Sequence, residues 1–409
     1  MTSFYDSRKG NHMRVTKKYA IPALIAAVGL TLAGCAPSTP SGGSTSAGAP
    51  VPVAIIYSQT GPLASYGAEY RYGFDAGLDY ATGGTGTVNG HKVQVTFSDD
   101  AGSPDTAVSL AKDAIGQGTK IIAGTVSSGI AGTLAAQAEQ NKVLYISGPA
   151  AADSITGINK YTFRSGRQSY QDVATAGTFI GDPSGKNVLV FAQNNAFGQG
   201  NVAAVKAVLG AKGATITSEL VPEDATEFTP FAQQILDAKP DLVFVAWAGA
   251  TSGAMWQALT QQGVFDKIPV VTGLGDTSTY AAYGAASSKI SFLSHYFGGA
   301  TDNKVNKAMI SELAKVGQKP DLFSPDGFAA AQMIVHAIGA SGGTNVDKMI
   351  ASLEGWSFDG PKGRMTIRAT DHALLQPMFQ AKLVADGSSW KPELIKSVDA
   401  TTVAPPVAG

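Results

Sequence analysis

A single cysteine among 409 residues excludes an intramolecular disulfide and every cysteine-based zinc site. The five histidines, at 12, 91, 295, 336 and 372, lie too far apart for metal-ligand spacing. Thirty basic residues against 31 acidic give a net charge of -1, which leaves no cationic excess for nucleic acid. The apolar run from Ala20 to Gly34 falls short of the roughly 20 residues a membrane span needs. No Walker loop, G-x-S-x-G elbow or G-x-G-x-x-G follows a strand, and Gly83 to Gly86 precedes a strand where a phosphate loop would precede a helix. No cofactor and no metal are expected. What is present is a folded chain, 44% hydrophobic and 15% charged, long enough for two domains. Its 48 Gly and 20 Pro make it turn-rich, without the period of a collagen.

Arg14, Lys17 and Lys18 followed by Ala20–Gly34 have the pattern of a secretory signal, and Met13 is as good a start for it as Met1. The run ends in Leu32-Ala33-Gly34-Cys35, which resembles the lipobox of bacterial lipoproteins, with cleavage before Cys35 and diacylglycerol on its thiol. Cleavage removes Arg8, Lys9, Arg14, Lys17 and Lys18 against Asp6 alone, so the mature chain is more acidic. From Ala36 to Pro50 there is no charge and no large apolar side chain, the composition of a tether spanning about 20 Å. The expected location is the cell surface or periplasm, with the body anchored to a membrane by the lipid.

From Val51 onward, short apolar strands alternate with helical patterns. Strands are expected at 53–57, 93–97, 121–123 and 143–146, with helices at 68–81, 106–115 and 132–140 between them. The order then restarts, with strands at 188–191, 215–220, 242–245 and 270–271 and helices at 202–209, 228–238 and 254–262. Such alternation means parallel strands covered by crossover helices, an α/β chain in two similar halves. Helices at 304–316 and 325–338 follow, then a strand pair, 365–368 with 378–384.

In open α/β sheets, ligands bind beyond the carboxyl ends of the strands. After the strand at 121–123 comes Gly124 to Gly129, where Ser127 and Ser128 precede a helix. Hydroxyls and free N–H groups there suit a carboxylate, and suit ordinary N-capping equally well. After 143–146 comes Ser147 to Asp153, whose small residues let a backbone approach a ligand or turn tightly. Asp99-Asp100 is a candidate acid pair or a turn cap at a strand end. Phe197, Trp247 and Trp256 are candidates for either core or site.

Several segments together resemble one family. They are the lipobox, the stretch from Ile56 to Gly67 (IYSQTGPLASYG), Asp99-Asp100, Ser127-Ser128 and Ser147 to Thr156. Ala196 to Gly200, Phe358 to Gly363, and Asp371-His372 complete the set. The chain resembles the leucine/isoleucine/valine-binding family, extracytoplasmic solute-binding components of ABC importers, over nearly all of 53–384. The resemblance implies a type I periplasmic binding fold, with two Rossmann-like lobes joined by a three-segment hinge. It places lobe I at 52–168 plus 299–355 and lobe II at 169–298 plus 356–395. A lipidated linker at 35–51 precedes them and a flexible tail at 396–409 follows. The partners it implies are a small ligand and an ABC permease, and the body is expected to be monomeric.

By the same resemblance, Ser128 holds a ligand carboxylate beside Ser127, with the Pro149 carbonyl, Ala150 and the Ala151 N–H contributing. Tyr66, Phe197, Trp247 and Ala248 line the ligand side chain. The chain also departs from the family. Ala151 stands where the family has a threonine, and Gly275 stands where a glutamate neutralises the ligand ammonium, with Asp276 one step along. The family's disulfide is absent. The first expectation is an extracytoplasmic solute-binding lipoprotein of an ABC importer that takes a branched-chain or other hydrophobic amino acid, which requires Asp276 as a substitute for the glutamate; the alternative ligand, an amine-free aromatic or branched acid, does not. A sensor on the same fold is a second expectation. A lipid-anchored hydrolase using Ser128 or Asp100 is a third, and it lacks a motif around any histidine.

Overall fold

The computed structural model describes residues 48–408, so the expected signal sequence, Cys35 and the tether up to residue 47 lie outside the described residues. One sheet carries β1 (Gly48–Tyr57), β2 (Thr87–Val88), β3 (His91–Asp99), β4 (Ile121–Ala123), β5 (Leu144–Ser147) and β6 (Thr162–Arg164). Their spatial order is β2-β3-β1-β4-β5-β6, and all pairs are parallel except β2 with β3. A second sheet begins with β7 (Asn187–Gln193), β8 (Thr215–Val221), β9 (Leu242–Ala246), β10 (Val270–Gly273) and β11 (Ile290–Ser294). A small antiparallel sheet follows in the chain, made of β12 (Ser357–Gly360), β13 (Gly363–Ile367) and β14 (Leu374–Leu375). The second sheet is then completed by β15 (Met378–Asp386) and β16 (Ser389–Val398), giving the order β16-β15-β11-β10-β9-β7-β8.

Helices cover both faces, which is why the central strands are apolar throughout; Val53 to Tyr57 are all buried. On the first lobe lie α1 (Ala64–Thr82), α2 (Pro104–Gly116) and α3 (Ser128–Asn141). On the second lie α4 (Ser169–Ala176), α5 (Ala196–Val208), α6 (Thr229–Ala238), α7 (Ser252–Gln261) and the single turns α8 (Val264–Lys267) and α9 (Tyr280–Tyr283). The chain then returns to the first lobe as α10 (Lys304–Lys315), α11 (Ser324–Ser341) and α12 (Val346–Leu353). Helix starts are encoded locally: Ser103 caps α2 through the Thr106 N–H, Asn195 caps α5 through Gly198, and Asn303 caps α10 through Asn306.

The chain passes between the lobes three times, at 165–168, 295–303 and 376–377. The two-lobed α/β architecture is as expected, but several boundaries differ. Residues 356–375 do not join the second lobe, because Phe358, Met365, Ile367 and Leu374 pack into the first lobe's core. For the same reason 365–368 and 378–384 are not a strand pair. The strand β13 pairs with β12 and β14, and β15 with β11 and β16. The expected linker ends earlier, since β1 begins at Gly48 and Val51 is buried. The expected flexible tail is instead held to the body. Residues 396–398 complete β16, and Val403 packs on Met378 and Val398. Beyond it, Arg368 donates to the carbonyls of Pro405 and Pro406 at 2.7 and 3.0 Å, and the Ala408 N–H reaches Asp371 at 2.9 Å.

In the first lobe α1 and α11 cross at backbone contact. A Cβ on Gly73 would lie 2.0 Å from the Ser324 carbonyl oxygen, and one on Gly327 would lie 2.0 Å from that of Tyr70. Backbone atoms cannot swing aside, so the helices would have to part. Gly73→Ala and Gly327→Ala are each expected to lower stability to denaturant by about 1–3 kcal/mol or more. Gly132→Ala, in open space on α3, is expected to be neutral or to gain roughly 0.5–1 kcal/mol.

Candidate functional site

Between the carboxyl ends of the two parallel sheets lies a cleft of about 440 Å³, a size suited to a small organic ligand. Its walls come from the loops that follow β4, β5, β7, β9, β10 and β11, as the parallel topology requires. Of the candidate residues, Tyr66, Ser127, Ser128, Pro149, Ala151, Phe197, Trp247, Ala248 and Gly275 line it. Ala150 and Asp276 do not. The Ala150 carbonyl accepts from Arg164 at 2.7 Å. The Asp276 carboxylate accepts from the Ser278 and Thr279 hydroxyls at 2.9 and 2.6 Å and so caps its own turn.

The polar end of the cleft is the start of α3. Ser127 occupies the N-cap position, but its side chain makes no capping bond, so the first-turn N–H groups are left to face the cleft. Ser128 Oγ accepts from the N–H groups of Ala151 and Ala152 at 3.1 and 3.2 Å, which leaves its own hydrogen free to donate. The Ala151 N–H is thereby used within the protein. The Pro149 carbonyl is likewise engaged, by Arg167 Nη1 at 2.8 Å. Asp100 accepts from the Thr125 hydroxyl and, at 2.9 Å, from the Gly102 N–H, the role of a strand-end cap.

The apolar body of the cleft is aromatic. Tyr66 meets Phe323 edge-on at 4.7 Å, and Trp247 stacks on Phe191 at 5.3 Å while its Nε1 donates to Thr251. Sequence reasoning missed Arg167, Asp172, His295 and Phe323, all of which line the cleft. Arg167 and His295 sit on the first two crossings, which follow the short strands β6 and β11 and carry no strand pattern of their own. Burial pushes the Asp172 carboxyl up to about 6 against the pull of Arg167. Burial, then Arg167 and Lys362, holds His295 well below the ordinary imidazole range, so its ring is neutral.

The lobes touch across the mouth. The Ala250 N–H donates to the Pro62 carbonyl at 2.9 Å, the Gly249 N–H to the Tyr66 hydroxyl at 3.3 Å, and the Thr277 N–H to Asp321 at 3.1 Å. These are bonds of a closed cleft. Closure also gathers Glu69, Asp321 and Asp276. Burial, then Asp321 and Asp276, drives the Glu69 carboxyl well above its usual range.

Residues 50–388 match the family described as Periplasmic binding protein. The chain is 25% identical to Leu/Ile/Val-binding protein homolog 3 of Brucella melitensis over 85% of its length and 94% of that protein. Among solved structures, it resembles an ABC-type branched-chain amino acid transporter protein of Rhodopseudomonas palustris at 35% identity and a TM-score of 0.73. That match covers 87% of this chain and 99% of that one. A solute-binding protein of Rhodopseudomonas palustris BisB5, solved with 3,4-dihydroxybenzoic acid, is similar at 25% identity and a TM-score of 0.74, over 86% and 97% of the two chains.

The closing contact leaves no room at Gly249, whose φ is +81°. A Cβ there would lie 2.5 Å from the Pro62 carbonyl oxygen and 2.9 Å from Leu63 Cδ2, both on the opposite lobe. Gly249→Ala is expected to weaken ligand binding by roughly tenfold or more by penalising closure. Calorimetry measures the affinity, and small-angle scattering of the ligand-saturated variant is expected to stay at the open dimension. A variant that binds and closes like the parent removes Gly249 from the closing contact.

Proposed function

Since the chain belongs to the periplasmic binding protein family, and so is an extracytoplasmic binder of small ligands of the ABC-transporter type, we propose that it captures a small apolar carboxylate lacking an ammonium group. It hands this ligand to an importer while tethered to the membrane through lipidated Cys35. The observation that carries the ligand class is the uneven polarity of the cleft. At one end, Ser128 and the open first turn of α3 offer donors to a carboxylate. The carboxylate positions where the resemblance puts an ammonium partner are not available, and the one buried carboxylate in the lining, Asp172, stands 3.2 Å from Arg167. Gly275 brings no charge, Asp276 is turned onto Ser278 and Thr279, and Arg167 occupies the Pro149 carbonyl. A buried ammonium without a partner costs several kcal/mol, which an amine-free acid avoids. The relative solved with 3,4-dihydroxybenzoic acid fits this reading.

A second reading is a hydrophobic amino acid. Asp172 Oδ1 favours it, being buried beside the cleft without a hydrogen-bond partner. Relatives named for leucine, isoleucine and valine favour it too. Thermal shift of the intact chain in detergent separates the two, because a ligand that binds the folded form raises its melting temperature. The pairs to compare are 4-methylpentanoate with leucine, and benzoate with phenylalanine. Stabilisation by the amine-free members alone is the expected outcome, and stabilisation by the amino acids alone overturns it.

The anchor rests on Leu32 to Cys35 and on the uncharged segment that follows. Among the described residues no helix is long and apolar enough to cross a membrane. Cys35→Ser is expected to move the protein from the membrane to the soluble fraction in a bacterial host that processes lipoproteins. Retention of the variant in the membrane fraction sets the lipid anchor aside.

A further inference from the structure

Two arginines stand three residues apart at the first crossing, and they are used differently. Arg164 is committed through both terminal nitrogens, with only its Nε lacking a partner. Its Nη1 donates to the Ala152 carbonyl and the Thr156 hydroxyl, and its Nη2 to the carbonyls of Ala150 and Arg167, at 2.7 to 3.4 Å. Arg164 does not line the cleft and serves as a staple for the loop after β5. Arg167 does line it, at 8% exposure. Nη1 donates to the Pro149 carbonyl at 2.8 Å, and Nε lies 3.2 Å from Asp172 Oδ2 without an aligned hydrogen bond. Among the described residues, Nη2 has no protein acceptor. The guanidinium also lies 5.7 Å over the Phe323 ring, which forms part of the aromatic wall.

A guanidinium carries five N–H donors, and burying it with most of them unused is costly. Of its unpaired donors only Nε is cut off from the cleft, so the Nη2 edge is the part of the guanidinium that an entering ligand can reach. Arg167 is moreover the only lysine or arginine among the residues that line the cleft, and His295 beside it is neutral. Position strengthens the case. The loop from Pro149 to Ala152 is gripped on one side by Arg167, through Pro149, and on the other by Ser128, through Ala151 and Ala152. Both side chains therefore bound the same polar end of the cleft, each with a donor to spare.

We propose that Arg167 is the counter-ion of the bound ligand, its Nη2 edge and the Ser128 hydroxyl together receiving the carboxylate at the hinge end of the cleft. This rests on the carboxylate reading above and adds to it the residue that selects charge. Because Arg167 belongs to the first crossing, the ligand's charge is also tied directly to a segment that must move when the lobes close. Asp172 then orients the guanidinium, and the Pro149 carbonyl fixes its plane.

The test compares each acid with its neutral amide, benzoate with benzamide and 4-methylpentanoate with 4-methylpentanamide, by calorimetry on the intact chain in detergent. The parent is expected to prefer the acid by at least about tenfold, the value of a charge-assisted bond. Arg167→Met is expected to bring the ratio of acid to amide affinity close to one while leaving amide affinity within about threefold. If Arg167→Met fails to fold, the ratio is read in the double variant Arg167→Met with Asp172→Leu, which leaves no buried charge unpaired. A ratio unchanged in a folded variant overturns the assignment and makes Arg167 a structural partner of Asp172 and Pro149. Should leucine prove to be the ligand, the same ratio is read between leucine and leucinamide, so the amine-free reading and the role of Arg167 fail separately. A parent that binds none of these compounds overturns both.

Discussion

Buried ionic groups at the first crossing and beside the second are the constraint on which the rest of the molecule depends. Lys362 and Asp326 form an ion pair at 2.8 Å with both side chains wholly buried, joining the turn between β12 and β13 to the first turn of α11. The carbonyl of Pro361, one residue before Lys362, accepts from Thr301 and Asn303 on the second crossing. Arg164 and the pair Arg167–Asp172 organise the first crossing. Removing such charges from water costs more than their attraction returns in many settings, so their value here lies in fixing geometry. Each cation has a short list of acceptors at defined places, and an alternative packing of the crossings would strand a charge. Burial lowers the Lys362 ammonium from its ordinary range, the signature of a site held together at a desolvation cost.

That fixed frame explains why the cleft can be both polar at one end and aromatic in its body. The parallel sheets deliver loops to the same side, and the crossings hold the two sets of loops face to face. Few direct bonds join the lobes at the mouth, and one of them involves the Asp321 carboxylate, close to Glu69 and Asp276. Three carboxyl groups brought together oppose closure when they are ionised. With few direct bonds between the lobes, contacts made only with ligand in place add to the balance that favours closure. A cleft balanced in this way reports occupancy, which a strongly self-closing one would not.

Much of this was legible in the chain. The alternation of apolar strands with helices gave both halves, and turn composition located the loops after β4 and β5. The departure at Gly275 made any ammonium partner depend on Asp276, which the sequence alone could not orient. What could not be read has identifiable causes. The strand β6 is three residues, Thr162 to Arg164, with a charge at its end, and no periodicity appears in so short a run. The strand β16 is an edge strand carrying Lys391, Pro392 and Glu393, a composition that suits an unpaired sheet edge and hides the strand from an apolar pattern. The tail after Val398 lacks secondary structure for most of its length, and its attachment depends on Arg368 and Asp371, far away in sequence. The role of Asp276 could not be fixed by its neighbourhood to Gly275, because one residue along a loop changes which way a carboxylate faces.

The same lesson bears on how a binding cleft changes ligand class. Loss of an acid at position 275 alone would leave a zwitterion bound poorly and gain nothing. The compensating feature is at the opposite end of the chain's geometry, where Arg167 takes the carbonyl of Pro149 that could otherwise face an ammonium. A cation placed there both withdraws an acceptor from amines and offers a donor to acids. In the proposed reading, discrimination against an ammonium combines the missing acid at position 275 with the Arg167 cation, whose charge is shared with Asp172 at 3.2 Å. The proposal depends on Arg167 being buried and on the crossing that carries it, which cannot turn the guanidinium away without breaking its bond to Pro149 and its pairing with Asp172.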